Sequence, residues 1–586
     1  MKKFWKIFFA SFLGCVVALV ILSFLGIGIL GSLMSFADKS QPAVPASSIL
    51  KIDFEAPIAE QTTEQFSFDI QTGSLNTKPS MSLLSFAKAI DIAAQDPAIK
   101  FIYMTPNALN MGIAQVEEVR QALERFRSSG KAIVSYSNSL SNANYYVASV
   151  ADKVILNAKA DVMIFGLSSQ ILFLKDLLDK VGVNMQLIRH GKYKAAAEQF
   201  IQNDISEANR EQNKVMLTTI WDAWCDDIAK SRDFTAEEYN KWVDEMSLTG
   251  AQAAFEKGLV DEVWYSDHVE EYLCSLYGVE KAKDLVFTSI SDYAKVKVKS
   301  DMRAKDKIAI LYANGEIVSG KSETGIASDT FVGMIKEIRQ DSTIKALLLR
   351  VNSPGGSAQA ADMIKRELQL LNETKPLIVS YGEYAASGGY WISANSDKIF
   401  SDRTTLTGSI GVFSLVPDFG KVAKKVGVNP VTISTNAHGD FGSGMRAFDA
   451  VETNFMQIQV EEIYSNFVEL VAEGRNLEPA YVDEIGQGRV WAGADALKIG
   501  LVDEIGSLVD ALNYTEAVTG LSKYKLVEYP VQKTGIEKLM SSLETAKASV
   551  SAMSDPVSVI ESAYSNLKET SSVQTMARIP YVYDIN

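Results

Sequence analysis

Apolar positions along this chain fall into three patterns. The first is an uncharged run over residues 7–37, longer than the roughly 20 apolar residues that cross a bilayer core. The second is a series of short β-rich runs alternating with helical ones. The runs over 307–312 and 345–351 predict strands, and the unbroken apolar centre of the latter marks a buried one. Residues 358–371 carry Ala361, Ile364, Leu368 and Leu371 on one helical face, and 376–381 is the next strand. Strand, helix and strand at this spacing predict βαβ units and a largely parallel α/β sheet. Upstream, strands are predicted near 49–54, 101–104 and 132–136. The third pattern is mostly helical. It covers 266–304 and the polar segment after about 529, which closes on a predicted strand over 579–585.

Lys2, Lys3 and Lys6 precede the first apolar run. A cleaved leader has a shorter apolar region, of about 7–15 residues, so an uncleaved anchor is expected, although Ser35-Phe36-Ala37 resembles a cleavage site. The lysines then stay in the cytoplasm and everything after Asp38 lies on the outer face of the membrane. No second apolar run of that length follows, which predicts a single span.

The β/α pattern occurs twice. Gln95-Asp96-Pro97-Ala98-Ile99-Lys100 matches Gln340-Asp341-Ser342-Thr343-Ile344-Lys345, and Val181-Gly182-Val183-Asn184 matches Val426-Gly427-Val428-Asn429. Tyr145-Tyr146 with Asp152-Lys153 matches Tyr390-Trp391 with Asp397-Lys398. All three pairs share an offset of 245 residues. Gly258-Leu259-Val260-Asp261-Glu262 matches Gly500-Leu501-Val502-Asp503-Glu504 at an offset of 242. A register held over such a length signals a tandem duplication. The chain divides into an anchor over 1–37, a first repeat over 38–265, a helical link over 266–304, a second repeat over 305–530 and a helical tail over 531–586.

Composition narrows the chemistry. The 586 residues exceed what one core needs, and a net charge of -15 argues against a nucleic-acid partner, which requires a basic face. Nothing in the spacing of Cys225 and Cys274 requires a disulfide, and buried free thiols are expected. With no C-x-x-C and no H-E-x-x-H, neither a thiolate zinc site nor a metallopeptidase is expected. No cofactor is called for.

Two loops in the second repeat stand out. Asn352-Ser353-Pro354-Gly355-Gly356-Ser357 follows a buried strand and precedes a helix, and Ala385-Ala386-Ser387-Gly388-Gly389 has the same setting. Glycines at such places turn backbone N–H groups towards a cavity, and a serine there can act as a nucleophile beside an amide that binds an oxyanion. The other reading is that both are ordinary helix starts capped by serine. Under the 245 offset Ser387 falls on Asn142, and Gly388-Gly389 fall on Ala143-Asn144. Lys194 falls on Gly439. One half carries a candidate nucleophile and the other a candidate base. A lysine can serve as base once burial or a neighbouring cation lowers its pKa, and Ala195-Ala196-Ala197 offers its ammonium little to pair with. Lys192 is the rival for this role, and a solvated surface lysine is the alternative for Lys194.

At these residues the sequence resembles the signal peptide peptidase A (protease IV) family in its long, duplicated bacterial form. The runs that carry the likeness are Arg350-Val351-Asn352-Ser353-Pro354-Gly355-Gly356, Ala386-Ser387-Gly388-Gly389-Tyr390-Trp391, Leu406-Thr407-Gly408-Ser409-Ile410-Gly411 and Gly191-Lys192-Tyr193-Lys194. Residues 195–200 depart from the family's run, in which serine and proline are expected. The resemblance implies two tandem crotonase/Clp-peptidase-like repeats behind one transmembrane helix. It implies Ser387 as nucleophile, Lys194 as base, Ser409 orienting the lysine, and amides of Gly356 and Gly388 as oxyanion donors. It further implies a bowl-shaped homotetramer on the outer face of the bacterial inner membrane, degrading signal-peptide remnants. The competing readings are a crotonase-like acyl-CoA enzyme, disfavoured by the outward location, and a non-catalytic membrane scaffold.

Overall fold

The computed structural model describes residues 43–54, 56–62, 64–69, 74–107, 109–322, 325–532 and 575–578. The expected anchor over 1–37 and the expected terminal strand over 579–585 lie outside these residues. Among the described residues no helix is long and apolar enough to cross a membrane.

Two sheets of matching order form the body, in a mixed α/β arrangement. The first runs Glu262–Trp264, Lys153–Met163, Ile133–Ser141, Ile99–Met104, Ser48–Ile52, Phe287–Ser289, and all its neighbours are parallel. The second runs Val490–Ala492, Leu406–Gly408, Leu377–Ala386, Ile344–Ser353, Lys307–Asn314, Lys525–Tyr529, with Lys398–Ser401 and Glu504–Ile505 branching from Leu377–Ala386. The duplication read in the sequence holds at the level of single residues. Leu140 pairs with Val162 in the first sheet, and Ala385 pairs with Thr407 in the second. The segment expected to be a helical link carries helices Ser266–Tyr277 and Ile290–Lys297. It also carries Phe287–Ser289, which forms an edge of the first sheet as Lys525–Tyr529 does of the second.

The strands follow the predicted apolar runs. Ile344–Ser353 is buried at nearly every position because helices cover both of its faces. Helix Ala358–Asn372 buries Ala361, Ile364, Leu368 and Leu371, and the Ser357 hydroxyl caps it by accepting from the Ala360 amide at 3.3 Å. A long helix follows in each half, Glu207–Ser231 and Ala450–Arg475, capped by Ser206 and Asp449. Cys225 and Cys274 are buried free thiols.

The halves share a core. Val116, Val119 and Leu123, on helix Ile113–Arg127 of the first repeat, join Leu348, Ile378 and Ala386 of the second in one apolar cluster. Buried charges cross the same boundary. The Arg350 guanidinium donates to Glu60 at 2.7 Å and to Glu118 at 2.5 Å, and Arg403 pairs with Glu117 at 2.6 Å and with Asp227.

A third sheet also joins the halves. Its order is Ile326–Ala327, Ile317–Val318, Gly355–Ser357, Thr575–Arg578, Val412–Asp418, Asn184–His190. Asn184–His190 comes from the first repeat and runs antiparallel to Val412–Asp418 over seven residue pairs, from Asn184 opposite Asp418 to His190 opposite Val412. That pairing carries the chain after His190 across to the second sheet.

Candidate active site

Strands Ile344–Ser353 and Leu377–Ala386 are neighbours, and Ser353 lies opposite Ala385. The two glycine loops therefore meet at one sheet end. The first is not an open loop throughout, because Gly355–Ser357 forms a short strand. Gly355 and Gly356 take φ of +99° and +156°. A Cβ on Gly356 would lie 2.0 Å from the carbonyl oxygen of Ile317, so only glycine fits there.

Ser387 follows Leu377–Ala386 with φ 56° and ψ -112°, and its side chain makes no helix-capping hydrogen bond. The capping reading therefore holds for Ser357 and fails for Ser387. A non-glycine residue in such a conformation costs about 1–3 kcal/mol and persists only where its surroundings enforce it. Here the Ser387 amide donates to Gly408 at 2.8 Å and its carbonyl accepts from Trp391 at 2.8 Å. Ser409 is held likewise, at φ 50°, with its amide donating to Arg489 at 2.7 Å.

Lys194 stands four residues beyond the crossing strand. Its Nζ donates to Ser387 Oγ at 2.8 Å, to Ser409 Oγ at 3.0 Å and to the Ser409 carbonyl at 3.1 Å. Lys194, Ser387 and Ser409 have no exposed surface. Burial alone, with no compensating carboxylate, drives the lysine's pKa well below its ordinary value. Lys192, the rival base, is exposed, with its ammonium 4.9 Å from the centre of the Tyr193 ring. The counterpart of Ser387 in the first repeat, Asn142, is a structural residue whose amide group exchanges hydrogen bonds with Gly166 at 2.9 and 3.3 Å.

An amine with a lowered pKa, 2.8 Å from a strained serine hydroxyl and with backbone amides of two glycine loops alongside, is an arrangement suited to acyl transfer. The family model for peptidase family S49 matches residues 125–280 and 369–522, one segment in each repeat. The chain belongs to peptidase family S49. It is 32% identical to Protease 4 of Haemophilus influenzae, covering 83% of this chain and 82% of that one. It is 33% identical to Protease 4 of Salmonella typhi over 79% and 76% of the two chains. The chloroplastic serine protease SPPA of Arabidopsis thaliana is 31% identical over 85% and 74%. The protein is thus a serine peptidase of this family.

Several residues around the lysine loop went unnoticed in the sequence. Arg189 donates to the Lys194 carbonyl at 2.8 Å and to Glu198 at 3.1 Å. Glu198, fully buried, also accepts from the Ser206 hydroxyl at 2.8 Å and from Asn209 at 3.2 Å. Gln212 donates to the Tyr193 carbonyl at 3.1 Å and accepts from the Val490 amide at 3.2 Å. These groups frame the lysine loop at the residues where the sequence departs from the family's run. Gly488, at φ +79°, lies against Lys194, and a Cβ there would come within 2.6 Å of the lysine's own Cβ.

Among the described residues one set of metal-type donors converges, His438, Asp449 and Glu452. Arg446 donates to both Glu452 oxygens at 2.7 Å, so the carboxylate is already neutralised by a guanidinium.

Proposed function

We propose that this S49 peptidase is a membrane-anchored endopeptidase in which Ser387 is the nucleophile and Lys194 the general base, on two crotonase-like repeats. The observation that carries the reading is the 2.8 Å contact between Lys194 Nζ and Ser387 Oγ, both side chains fully buried. Lys194, its pKa lowered by burial, takes the hydroxyl proton as Oγ attacks the scissile carbonyl. Ser409 orients the amine through its hydroxyl and its carbonyl. Amides of Gly356 and Gly388 receive the oxyanion, and Lys194 passes its proton to the leaving amine. It then takes a proton from the water that hydrolyses the acyl-enzyme.

Short apolar peptides, signal-peptide remnants among them, are the proposed substrates. An apolar wall of Ala196, Ala197 and Phe413 beside the dyad supports this. Residues 7–37 serve as the anchor, with the repeats on the outer face of the inner membrane and four copies forming a bowl around inward-facing sites.

A serine-directed phosphonate tests the chemistry. We expect one adduct, mapped by peptide mass spectrometry to Ser387, that is lost in Ser387→Ala and slowed at least about a hundredfold in Lys194→Ala. An adduct on another serine, or equal labelling in Lys194→Ala, contradicts the assignment. An acyl-CoA enzyme or a scaffold has no reason to label at all.

A further inference from the structure

Strand Leu377–Ala386 leads into Ser387, but its pairing is not even along its length. Val351 pairs with Tyr381 and Ser353 with Ala385, so Asn352 alone on one strand spans Gly382, Glu383 and Tyr384 on the other. Such a bulge bends a strand and re-aims the side chains beyond it, so what anchors it matters at a site. Each bulge residue is pinned. Thr405 Oγ1 donates to the Gly382 carbonyl at 2.7 Å, and the Tyr384 amide donates to Asn352 Oδ1 at 3.1 Å. Both partners belong to the second repeat. Glu383 reaches the first: its Oε2 accepts from the Ala114 amide at 2.9 Å, at the start of helix Ile113–Arg127.

We propose that Glu383 is a positioning residue for Ser387: its carboxyl group caps helix Ile113–Arg127 from across the repeat boundary, and this contact sets the direction in which the nucleophile strand leaves its bulge. This rests on the Ser387–Lys194 reading above.

The helix start is made to receive that group. The first amides of a helix have no partner within it, and Gly112, at the N-cap, has no side chain to offer one. The fit is close. A Cβ on Gly112 would lie 2.1 Å from Glu383 Oε2 and 2.6 Å from its Cδ, and the three nearest atoms all belong to Glu383. Gly112 has an ordinary φ of -72°, so its backbone does not call for glycine, whereas the room taken by Glu383 does. The helix start is itself held. Gln115 accepts from the Gly112 amide at 3.2 Å and donates to Glu60 at 2.9 Å, and Glu60 pairs with Arg350 on the neighbouring strand. Under the 245 offset Glu383 falls on Asn138, which is exposed. The half without the serine is also without this carboxyl group.

The consequence lies in the distance between Ser387 Oγ and Lys194 Nζ, 2.8 Å. A misplacement of about 1 Å can cost on the order of a hundredfold in rate. A carboxylate, a carboxylic acid and an amide all keep an oxygen that can accept from Ala114, so the contact works through shape and not through charge.

The test measures steady-state hydrolysis of a fluorogenic apolar peptide and the rate of phosphonate labelling at Ser387. It compares the full-length protein with Glu383→Ala, Glu383→Gln, Gly112→Ala and the double variant Gly112→Ala/Glu383→Ala. Glu383→Ala should lower kcat and the labelling rate by at least about tenfold. KM should change by less than about twofold, because the glycine loop and the apolar wall that line the peptide slot are untouched. Glu383→Gln should keep kcat within about threefold of the unmodified protein. Gly112→Ala pushes the carboxyl group away from the other repeat and should match Glu383→Ala, with the double variant no slower than either single one. A merely structural role would give neither the rescue by glutamine nor this lack of additivity. An unchanged kcat in Glu383→Ala, a loss in Glu383→Gln as large as in Glu383→Ala, or a Gly112→Ala loss that adds to it overturns the positioning role and leaves the dyad standing. Should Glu383→Ala fail to fold, Gly112→Ala decides, and a kcat equal to that of the unmodified protein overturns the role. If the unmodified protein neither cuts the peptide nor labels at Ser387, the dyad falls and this proposal with it.

Discussion

Lys194 is unfavourably placed, its amine drawn fully out of water beside two serine hydroxyls and no carboxylate. The cost of charging it there has a measurable consequence. Unfolded, the lysine titrates near about 10.4. Folded, burial holds its pKa well below that. Between the two values the unfolded chain binds a proton that the folded chain does not, so stability rises with pH across this window and is lost as pH falls. Lys194→Met removes the dependence. Thermal unfolding should show the midpoint of Lys194→Met gaining on the unmodified protein as pH drops from 10 to 7. A constant difference over that range would mean that the lysine stays protonated in the fold. Ser387 and Lys194 were legible in the sequence because one half of the duplication has each and the other half lacks it. Arg189 and Glu198 were not, because an ion pair nine residues apart across a loop leaves no periodic trace.

Among the elements, the antiparallel pairing of Asn184–His190 with Val412–Asp418 delivers the lysine loop to the second sheet, and Gly488 receives it. That glycine is doubly constrained, by φ +79° and by the lysine backbone packed against it. Gly488→Ala should destabilise the fold by about 1–3 kcal/mol and lower kcat by at least about tenfold through displacement of the amine. KM should change little, because the peptide slot is lined by other residues. Urea denaturation and steady-state kinetics on the same preparation check both effects, and an unchanged kcat would mean that the loop yields without moving Nζ. The predicted strands over 307–312, 345–351 and 376–381 and the helix over 358–371 were readable because burial on both faces, or on one helical stripe, writes itself into the residue pattern. Phe287–Ser289 and Thr575–Arg578 were not readable, since strands of three or four residues are held by backbone pairing that needs no particular side chains. Gly488 escaped for a related reason, as what crowds it arrives from the other repeat.

At the scale of the whole molecule the two repeats form one body, because their boundary is a core. Arg350 is its hub, tying Glu60 and Glu118 of the first repeat to the second sheet. Arg350→Met would strand two buried carboxylates, and urea denaturation should show a loss of about 3–5 kcal/mol. A loss below about 1 kcal/mol would mean that water reaches the boundary. The duplication and its α/β pattern were legible from the shared offset. The mode of joining was not, since charge pairs hundreds of residues apart have no local signature. In the proposed mechanism a serine from one half and a lysine from the other act as a pair. It is tested most directly by hydrolysis of a fluorogenic apolar peptide between about pH 6 and 10, comparing the unmodified protein, Ser387→Ala and Lys194→Ala. Activity should rise with pH as Lys194 loses its proton, level off well below the ordinary lysine pKa, and vanish in both variants. Activity that survives Lys194→Ala with the same pH profile would contradict the pairing.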